Sequence, residues 1–323
     1  MKALPYQSSF PEVVTFGESM ALFSSSDTRG LEYAQTVMKS FGGAESNVAI
    51  GLSRLGHQVG WFSRLGNDPM GRYIVKAIRG EGVDISRVRW CEGHPTGLMM
   101  KEQTAGKSSV YYYRRMSAAS TMQPEDLDAD YIRSAKILHV TGITCALSEG
   151  CAETVRAAVE LAKDAGVTVA FDPNLRLKLW SIEEARNRLL PLMELADLFL
   201  PGLDELKLLY ATDDERAIFK RLASLPGTII VKGGLGMNYV VRGNQVDEIS
   251  YKPVDKVIDT VGAGDAFCAG VLSGMLRTND PIEAVRLGNV TGAMVVQAVG
   301  DWEATPTWGQ VQDLMHDAVH IER

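Results

Sequence analysis

The chain has 323 residues, of which 46% are hydrophobic, and its 33 basic and 40 acidic residues give a formal charge of −7. This composition is typical of a globular protein with a large core. The acidic balance and the lack of any block of Lys and Arg remove the attraction that nucleic acids and anionic membranes require. We therefore expect neither as a partner.

The cysteines and the apolar segments bound the class of protein further. The four cysteines include no Cys-x-x-Cys pair, which argues against a disulfide framework or a zinc site and favours reduced thiols in the cytoplasm. The first residues, MKALPYQSSFPEVV, hold no continuous apolar region, and no later stretch reaches the roughly 18 apolar residues of a membrane helix. We expect neither a leader nor a membrane anchor.

In chain order, short apolar runs rich in β-branched residues predict buried strands. They are VVTFGES at 13–19, VGWFSRLG at 59–66, KILHVTG at 136–142, VTVAFDPN at 167–174 and TIIVKGG at 228–234. Helical patterns lie between them, such as residues 153–166, where Val155 and Val159 share one face. The alternation predicts an α/β protein with a mainly parallel sheet covered by helices, whose ligands bind at the carboxyl ends of the strands.

Two regions interrupt this alternation. Residues 20–40 and 96–115 contain extended patterns, among them ALFSSS, LEYAQTV, TGLMMKEQ and SSVYYYRR, with no helix between them. They predict a small β-layer attached to the main domain, which could cover the site as a lid and pair with another subunit. No internal repeat or linker divides the chain, so we expect a single domain over residues 1–323.

The most informative stretch is DTVGAGDAFCAGVLSGML at 259–276, in which a glycine-rich turn runs directly into a helical pattern. Gly262 and Gly264 permit backbone conformations that other residues disfavour, so successive amides, including that of Ala263, can converge on an anion. Asp265 would repel a bound phosphate but suits an attacking hydroxyl, which indicates phosphoryl transfer with Asp265 as general base. The residues alone leave open that Asp265 only caps a helix after a tight turn.

These residues resemble the signatures of one family. Residues 259–265, D-T-V-G-A-G-D, are similar to the C-terminal signature of the ribokinase-like, or PfkB-type, carbohydrate kinases. FGGAESNVAIGLSRLG at 41–56 and LGNDPMG at 65–71 resemble the family's N-terminal sugar-binding signature and the segment after it. The resemblance implies a ribokinase-like three-layer α/β/α fold with a small β-strand lid at about 20–40 and 96–115. It also implies that ATP and Mg²⁺ are bound.

Within the family, PTGLMMKE, YYYRRMSAAS, FDPNLRLKLW, LPGLDE and GDWEATPT are most similar to the 2-keto-3-deoxygluconate kinases. This resemblance implies ATP-dependent phosphorylation of the terminal hydroxyl of that sugar acid to the 6-phosphate. Arg114 and Arg176 are candidates to bind the substrate carboxylate, because guanidinium groups match its two oxygens. A kinase of a neutral sugar, such as fructose or ribose, is the alternative within the enzyme class. A non-catalytic sugar-binding regulator is the alternative outside it.

The resemblance also implies roles for individual residues. Contacts with the sugar are expected from Gly43, Asn47, Leu98, Tyr112, Arg114, Arg176, Asp265 and Asp301. Contacts with ATP are expected from Asn174, Lys232, Gly233, Gly234, Gly236, Gly262, Gly264 and Asn289, and phosphate contacts from the amides around Ala263. Glu205 would organise magnesium-bound water, although Gly202 replaces the Asn of the family's N-x-x-E motif. A monovalent cation such as K⁺ could bind near Asp259.

Several of these roles have alternatives. Tyr112 is selected because it shares a strand face with Arg114, but a shift of one residue would replace it with Tyr111 or Tyr113. Asp301 could be an ordinary loop carboxylate. The glycines at 233–236 could form a plain turn between two strands, and Glu205 could be an exposed residue at a helix start.

Overall fold

A central sheet with helices on both faces and a separate small sheet make up the protein. The computed structural model describes residues 10–320, with gaps at 26, 105–106, 235 and 253. The ends of the expected domain, 1–9 and 321–323, lie outside the described residues, as do residues 26, 105 and 106 of the expected lid.

The elements follow one another in a regular order. The first part of the chain forms β1 (Val13–Phe16), β2 (Met20–Ser24), β3 (Met38–Gly42), α1 (Ala44–Arg54), β4 (Val59–Phe62), β5 (Arg64–Gly66), α2 (Pro69–Gly80), β6 (Arg89–Cys91), β7 (Leu98–Thr104) and β8 (Lys107–Tyr113). The middle part forms α3 (Ala129–Arg133), β9 (Ile137–Thr141), α4 (Gly142–Cys145), α5 (Glu149–Asp164), β10 (Thr168–Asp172), α6 (Ile182–Leu195), β11 (Leu198–Phe199), α7 (Leu203–Tyr210) and α8 (Glu215–Leu222). The last part forms β12 (Thr228–Lys232), β13 (Met237–Arg242), β14 (Gln245–Ser250), α9 (Ala263–Thr278), α10 (Pro281–Val295) and α11 (Trp308–His320).

The central sheet has the strand order β14-β13-β12-β11-β10-β9-β1-β4. The strands from β4 to β12 pair in parallel, and only β13 and β14 at one edge pair antiparallel. Side chains of one strand alternate between two apolar cores, because successive residues point to opposite faces: Val13 packs in one core and Val14 in the other. Helices cover both faces, so the predicted mainly parallel α/β architecture is confirmed.

Local signals decide where the helices begin. The helical pattern predicted from residue 153 belongs to α5, which starts earlier because the Ser148 hydroxyl accepts a hydrogen bond from the Cys151 amide at 3.1 Å. Helix α2 starts after Asp68, whose carboxylate accepts from the amides of Met70 and Gly71, with Pro69 in the first turn. Among the described residues, no helix is long and apolar enough to cross a membrane.

A second sheet of four strands, in the order β3-β2-β7-β8, is built from the two regions that interrupt the alternation. Its inner face carries the small apolar cluster Met20, Leu22 and Met99, against which Val110 packs. The same face lines a cavity whose other wall is the carboxyl edge of the central sheet, represented by Asp172 and Lys232. The second sheet therefore lies over the edge where ligands of parallel sheets bind.

Candidate active site

A large cavity of about 540 Å³ separates the second sheet from the central sheet. Most of the predicted site residues line it, although they come from widely separated parts of the chain. They are Gly43, Asn47, Tyr112, Asn174, Arg176, Glu205, Lys232, Gly262, Gly264, Asp265 and Asp301. The structure thus brings the predicted sugar-side residues and several predicted nucleotide-side residues to one place.

Asp265 lies in the first turn of α9 and faces this cavity. Its Oδ2 accepts a hydrogen bond from Asn47 Nδ2 at 2.8 Å, and its Oδ1 accepts a longer one from Asn174 Nδ2 at 3.4 Å. Burial raises the pKa of the carboxyl group to about 6, against the opposing effect of the Asn47 hydrogen bond. The carboxylate is thus held by side chains from α1 and from the loop after β10, which a plain helix cap would not require.

The turn before α9 depends on Gly262. This residue has φ +77°, in the left-handed region, and a Cβ on it would lie 1.8 Å from the carbonyl oxygen of Asp301. A Cβ on Gly264, in contrast, would meet no other atom within 4 Å. The Ala263 amide donates to the carbonyl oxygen of Thr260 at 3.4 Å, whereas the amides of Gly264 and Asp265 have no acceptor within the helix and belong to residues that line the cavity. Such a helix start suits a phosphoryl group.

Asp301 reaches the cavity from the loop after α10 and is only 7% exposed. Burial, together with the nearby carboxylates of Asp265 and Glu303, raises its pKa to about 7. The space for this side chain exists because Gly42 has no side chain, since a Cβ there would lie 2.0 Å from Asp301 Oδ2. Asp301 therefore lines the cavity and can donate or accept a hydrogen bond near neutral pH.

The cationic groups fall into two classes. Arg114 does not line the large cavity, because its guanidinium forms an ion pair with the buried carboxylate of Glu18, with Nη2 and Oε2 2.5 Å apart. Arg176 lines the large cavity and forms no ion pair with a carboxylate within the described part of the chain. Both arginines also line a side cavity of about 290 Å³, together with Tyr112 and Lys178.

The predicted contact from Leu98 needs correction. Leu98 does not line the large cavity, whereas its neighbour Met99 does. In the register of β7 and β8, Met99 lies opposite Tyr112 and Leu98 opposite Tyr113. Because side chains alternate along a strand, Met99 and Tyr112 share the inner face and Leu98 lies on the outer one. Of the three adjacent tyrosines, Tyr112 is the one that lines the cavity.

A second cavity of about 410 Å³ joins the first at Lys232 and Gly264, which line both. It is also lined by Gly234, Ala263 and Asn289, and by apolar side chains that include Val254, Val257, Phe267 and Val296. Gly233 and Gly236 do not line it. They shape the turn between β12 and β13, where Gly236 has φ +84° and the Gly233 amide donates to Asn238 Oδ1 at 3.1 Å.

Lys232 and Glu205 lie at the base of the large cavity. Burial opposes the charge of Lys232, but the carboxylate of Asp172, 3.0 Å from Nζ, raises its pKa overall. Burial also raises the pKa of Glu205. The oxygens of Glu205 accept hydrogen bonds from the amides of Gly202 and Leu175, each at 2.7 Å, so this carboxylate is a buried cap of α7 that also lines the cavity.

Sequence reasoning missed two charged residues of the cavity wall. Lys101 on β7 shares the inner face with Met99 and forms an ion pair with Asp259. Asp172 ends β10, is 2% exposed and holds Lys232. A lysine directly after three apolar strand residues, 98–100, was the available signal for Lys101, and the strand-end carboxylate of FDPN was the signal for Asp172. Within the described residues, no cluster of three or more His, Cys, Asp or Glu could hold a metal ion.

Comparison with known proteins agrees with this geometry. The 2-dehydro-3-deoxygluconokinase of Bacillus subtilis is 41% identical over 303 residues, covering 92% of this chain and 93% of that protein. A probable fructokinase-4 of Arabidopsis thaliana is 32% identical over 318 residues, covering 94% and 96%. An E. coli protein provisionally named Ribokinase II, solved in complex with ATP and Mg²⁺, is 25% identical with a TM-score of 0.86, covering 95% and 99%. A family model described as pfkB family carbohydrate kinase matches residues 11–308. The chain belongs to the PfkB family of carbohydrate kinases.

Proposed function

We propose that this phosphotransferase moves the γ-phosphoryl group of ATP to the terminal hydroxyl of 2-keto-3-deoxygluconate and so forms the 6-phosphate. The observation that carries the proposal is the position of Asp265, which Asn47 and Asn174 hold in the large cavity beside Gly264, where the two cavities meet. The similarity to the B. subtilis 2-dehydro-3-deoxygluconokinase, an enzyme named for the same sugar acid, supports this substrate.

Different residues of the cavity have different roles in the reaction. Asp265 accepts the proton of the attacking hydroxyl, and Asn47 and Asn174 fix the direction of its carboxylate. The amides around Ala263 and Gly264 stabilise the charge that spreads over the phosphoryl group as it moves. Asp301 and Gly43, which line the same cavity, hold sugar hydroxyls. The second sheet acts as a lid that excludes water, which limits the hydrolysis of ATP.

The second cavity suits ATP. Val254, Val257, Phe267 and Val296 offer apolar contact for a base, Asn289 offers an amide, and Gly264 leaves room for phosphates at the junction. The E. coli complex with ATP and Mg²⁺ supports this assignment. Mg²⁺, when bound, would neutralise charge on the phosphate oxygens, and Glu205 would hold it through water, since Mg²⁺ commonly keeps several waters in phosphate sites. Lys101 neutralises the carboxylate of Asp259, so we propose no K⁺ ion there.

The carboxylate of the substrate would bind Arg176. Glu18 neutralises Arg114, so Arg114 shapes the side cavity, while Arg176 keeps its charge for a ligand. Lys178 Nζ lies 5.8 Å from the ring centre of Tyr112 and adds a second positive charge beside Arg176. A neutral sugar would offer this charge no carboxylate. A fructokinase is the second candidate, because the Arabidopsis relative carries that name.

Replacing Arg176 by Ala is expected to weaken kcat/KM for the sugar acid by about 10- to 100-fold, the effect of losing a charged hydrogen bond. The loss for fructose or ribose should be several times smaller. Arg156→Ala, which removes an exposed arginine of α5 that pairs with Glu160, is the matched control. Steady-state kinetics with each sugar measures both losses, and equal losses for charged and neutral sugars would rule out Arg176 as the carboxylate ligand.

The pKa of Asp265 predicts how activity depends on pH. Because the base must be ionised and its pKa is raised to about 6, kcat/KM should rise with pH up to about 6 and level off above it. Below that value, activity should fall about tenfold for each pH unit. The measurement is a kcat/KM profile from pH 5 to pH 8, with thermal unfolding as a check on folding. A flat profile between pH 5 and pH 7 would contradict the assignment.

Two further parts of the proposal concern assembly and location. The outer face of the lid exposes apolar side chains, with Tyr111 48% and Tyr113 61% exposed. This surface supports a homo-oligomer formed through the lid, and light scattering on the purified protein measures the subunit number. A cytoplasmic location is consistent with the four free cysteines of the chain.

A further inference from the structure

An ion pair connects the lid to the turn that opens α9. Lys101 projects from lid strand β7, and its Nζ contacts Oδ2 of Asp259, three residues before Gly262. We propose that this ion pair completes the phosphate-binding turn only when the lid is closed, so that Lys101 is a positioning residue for phosphoryl transfer. The inference rests on the proposed function and adds to it a link between sugar binding and the state of the turn.

Burial makes the two charges depend on each other. The side chains of Lys101 and Asp259 are each 9% exposed, although they lie 158 residues apart in the chain. A charge that is removed from water needs a partner of opposite sign, so neither group is stable in this position alone. In this structure Lys101 and Asp259 neutralise each other.

Asp259 in turn shapes the backbone that leads to Gly262. Its Oδ1 accepts a hydrogen bond from the Val261 amide at 3.2 Å. On the other side, the carbonyl of Val296 at the end of α10 accepts from the amide of Ile258 at 2.8 Å. Asp259 is therefore fixed between α10 and the lid, and one of its carboxylate oxygens orients the residue that precedes Gly262.

Lys101 belongs to the lid and would move with it. Lys101 lies on the same inner face as Met99, Val110 and Leu22, and these side chains line the cavity that the sugar would fill. If the lid opens to admit a sugar, the ammonium leaves Asp259 and water reaches the carboxylate. Closure over a sugar restores the pair and with it the support of the Val261 amide.

The negative charges in the large cavity explain why the ion pair matters for phosphoryl transfer. Asp265 and Asp301 line the same cavity as Lys101, and a triphosphate would add further negative charge. In the closed state Lys101 neutralises Asp259, so one unpaired carboxylate fewer lies beside the turn that would bind the phosphates. The turn is then ordered when an acceptor hydroxyl is present, and it is disordered when ATP is bound without sugar.

A double-mutant cycle tests the inference. The variants are Lys101→Met, Asp259→Asn and the double variant, with Lys39→Met as a matched control, because Lys39 is an exposed lid lysine outside the cavity. For each variant, kcat and the sugar KM are measured with the sugar for which the wild-type protein has the highest kcat/KM. The Kd of an ATP analogue is measured separately, without sugar. Each single change should lower kcat about 10- to 100-fold, the usual range for coupling between sites. The double variant should lose no more than about threefold beyond the larger single loss.

The outcomes separate the inference from its rivals. Unchanged analogue binding without sugar, together with the non-additive loss of kcat, supports the lid-linked role. Losses that multiply in the double variant, no loss in either single variant, or equal weakening of analogue binding without sugar would each overturn it. If Lys101→Met does not fold, as judged by thermal unfolding, Lys101→Gln replaces it in the cycle. Lys101→Arg, which keeps the charge, should keep at least a third of wild-type kcat, and a loss as large as that of the uncharged variant would overturn the inference. If the best sugar is neutral, the proposed substrate fails while the cycle still tests this ion pair.

Discussion

Replacing Asp265 by Asn is expected to lower kcat by about 10²- to 10⁴-fold, the contribution of a general base. An amide keeps the size of the side chain and can still bond to Asn47 and Asn174, so the cavity should keep its shape. It cannot accept the proton of the sugar hydroxyl. The loss should therefore appear in kcat, while the binding of sugar and of ATP changes little. Stopped-flow or coupled-enzyme kinetics gives kcat, and calorimetry gives the two Kd values.

A matched substitution checks that this loss belongs to the base. Asp204 on α7 is an exposed carboxylate outside the cavities, so Asp204→Asn should leave kcat within about twofold of wild type. Near-normal turnover by Asp265→Asn would remove Asp265 from the mechanism. A loss of sugar binding equal to the loss of kcat would assign it to binding alone.

Gly262→Ala should lower kcat by about 10²- to 10³-fold, the range for losing a donor to a developing charge. The new Cβ would lie 1.8 Å from the Asp301 carbonyl oxygen, at a φ of +77° that alanine adopts at a cost. Either the turn or the loop that carries Asp301 must move, so both the phosphate-binding amides and the sugar wall are disturbed. Thermal unfolding should also show a lower melting temperature.

Gly309→Ala provides the control for this change. Gly309 lies in the first turn of α11 and outside the cavities, and a Cβ on it would meet no atom within 4 Å beyond its chain neighbours and the backbone of its own helix. Alanine there should leave kcat unchanged and slightly raise helix stability, by about 0.5–1 kcal/mol. Wild-type kcat in Gly262→Ala would show that the turn tolerates a side chain and does not form the phosphate site.

The architecture could be predicted because it follows from local patterns. Runs such as 136–142 and 228–234 are short and apolar, and segments with a helical pattern lie between successive runs. This alternation predicts a mainly parallel sheet. The predicted ends of the strands were less accurate than their existence. The single run at 59–66 forms two strands, β4 and β5, which pair with different partners, β1 and β6. Periodicity cannot reveal this break, because the choice of partner depends on residues far along the chain.

The same limit applies to the site. The turn at 262–265 could be identified because consecutive residues carry its chemistry. The pairing of Glu18 with Arg114 could not, since the two residues are 96 apart and the sequence offers no sign that a carboxylate would neutralise the arginine. Likewise, the choice between Leu98 and Met99 depends on the register of β7 against β8. Contacts between distant segments set all of these positions.

The most direct test of the proposed activity is a comparison of ADP formation by the purified protein with four sugars. The panel is 2-keto-3-deoxygluconate, its galacto epimer, fructose and ribose, each with ATP and Mg²⁺. We expect the highest kcat/KM for 2-keto-3-deoxygluconate, with the 6-phosphate as product and little ADP without sugar. A higher kcat/KM for fructose or ribose, or no sugar-dependent ADP formation with any of the four, would contradict the account.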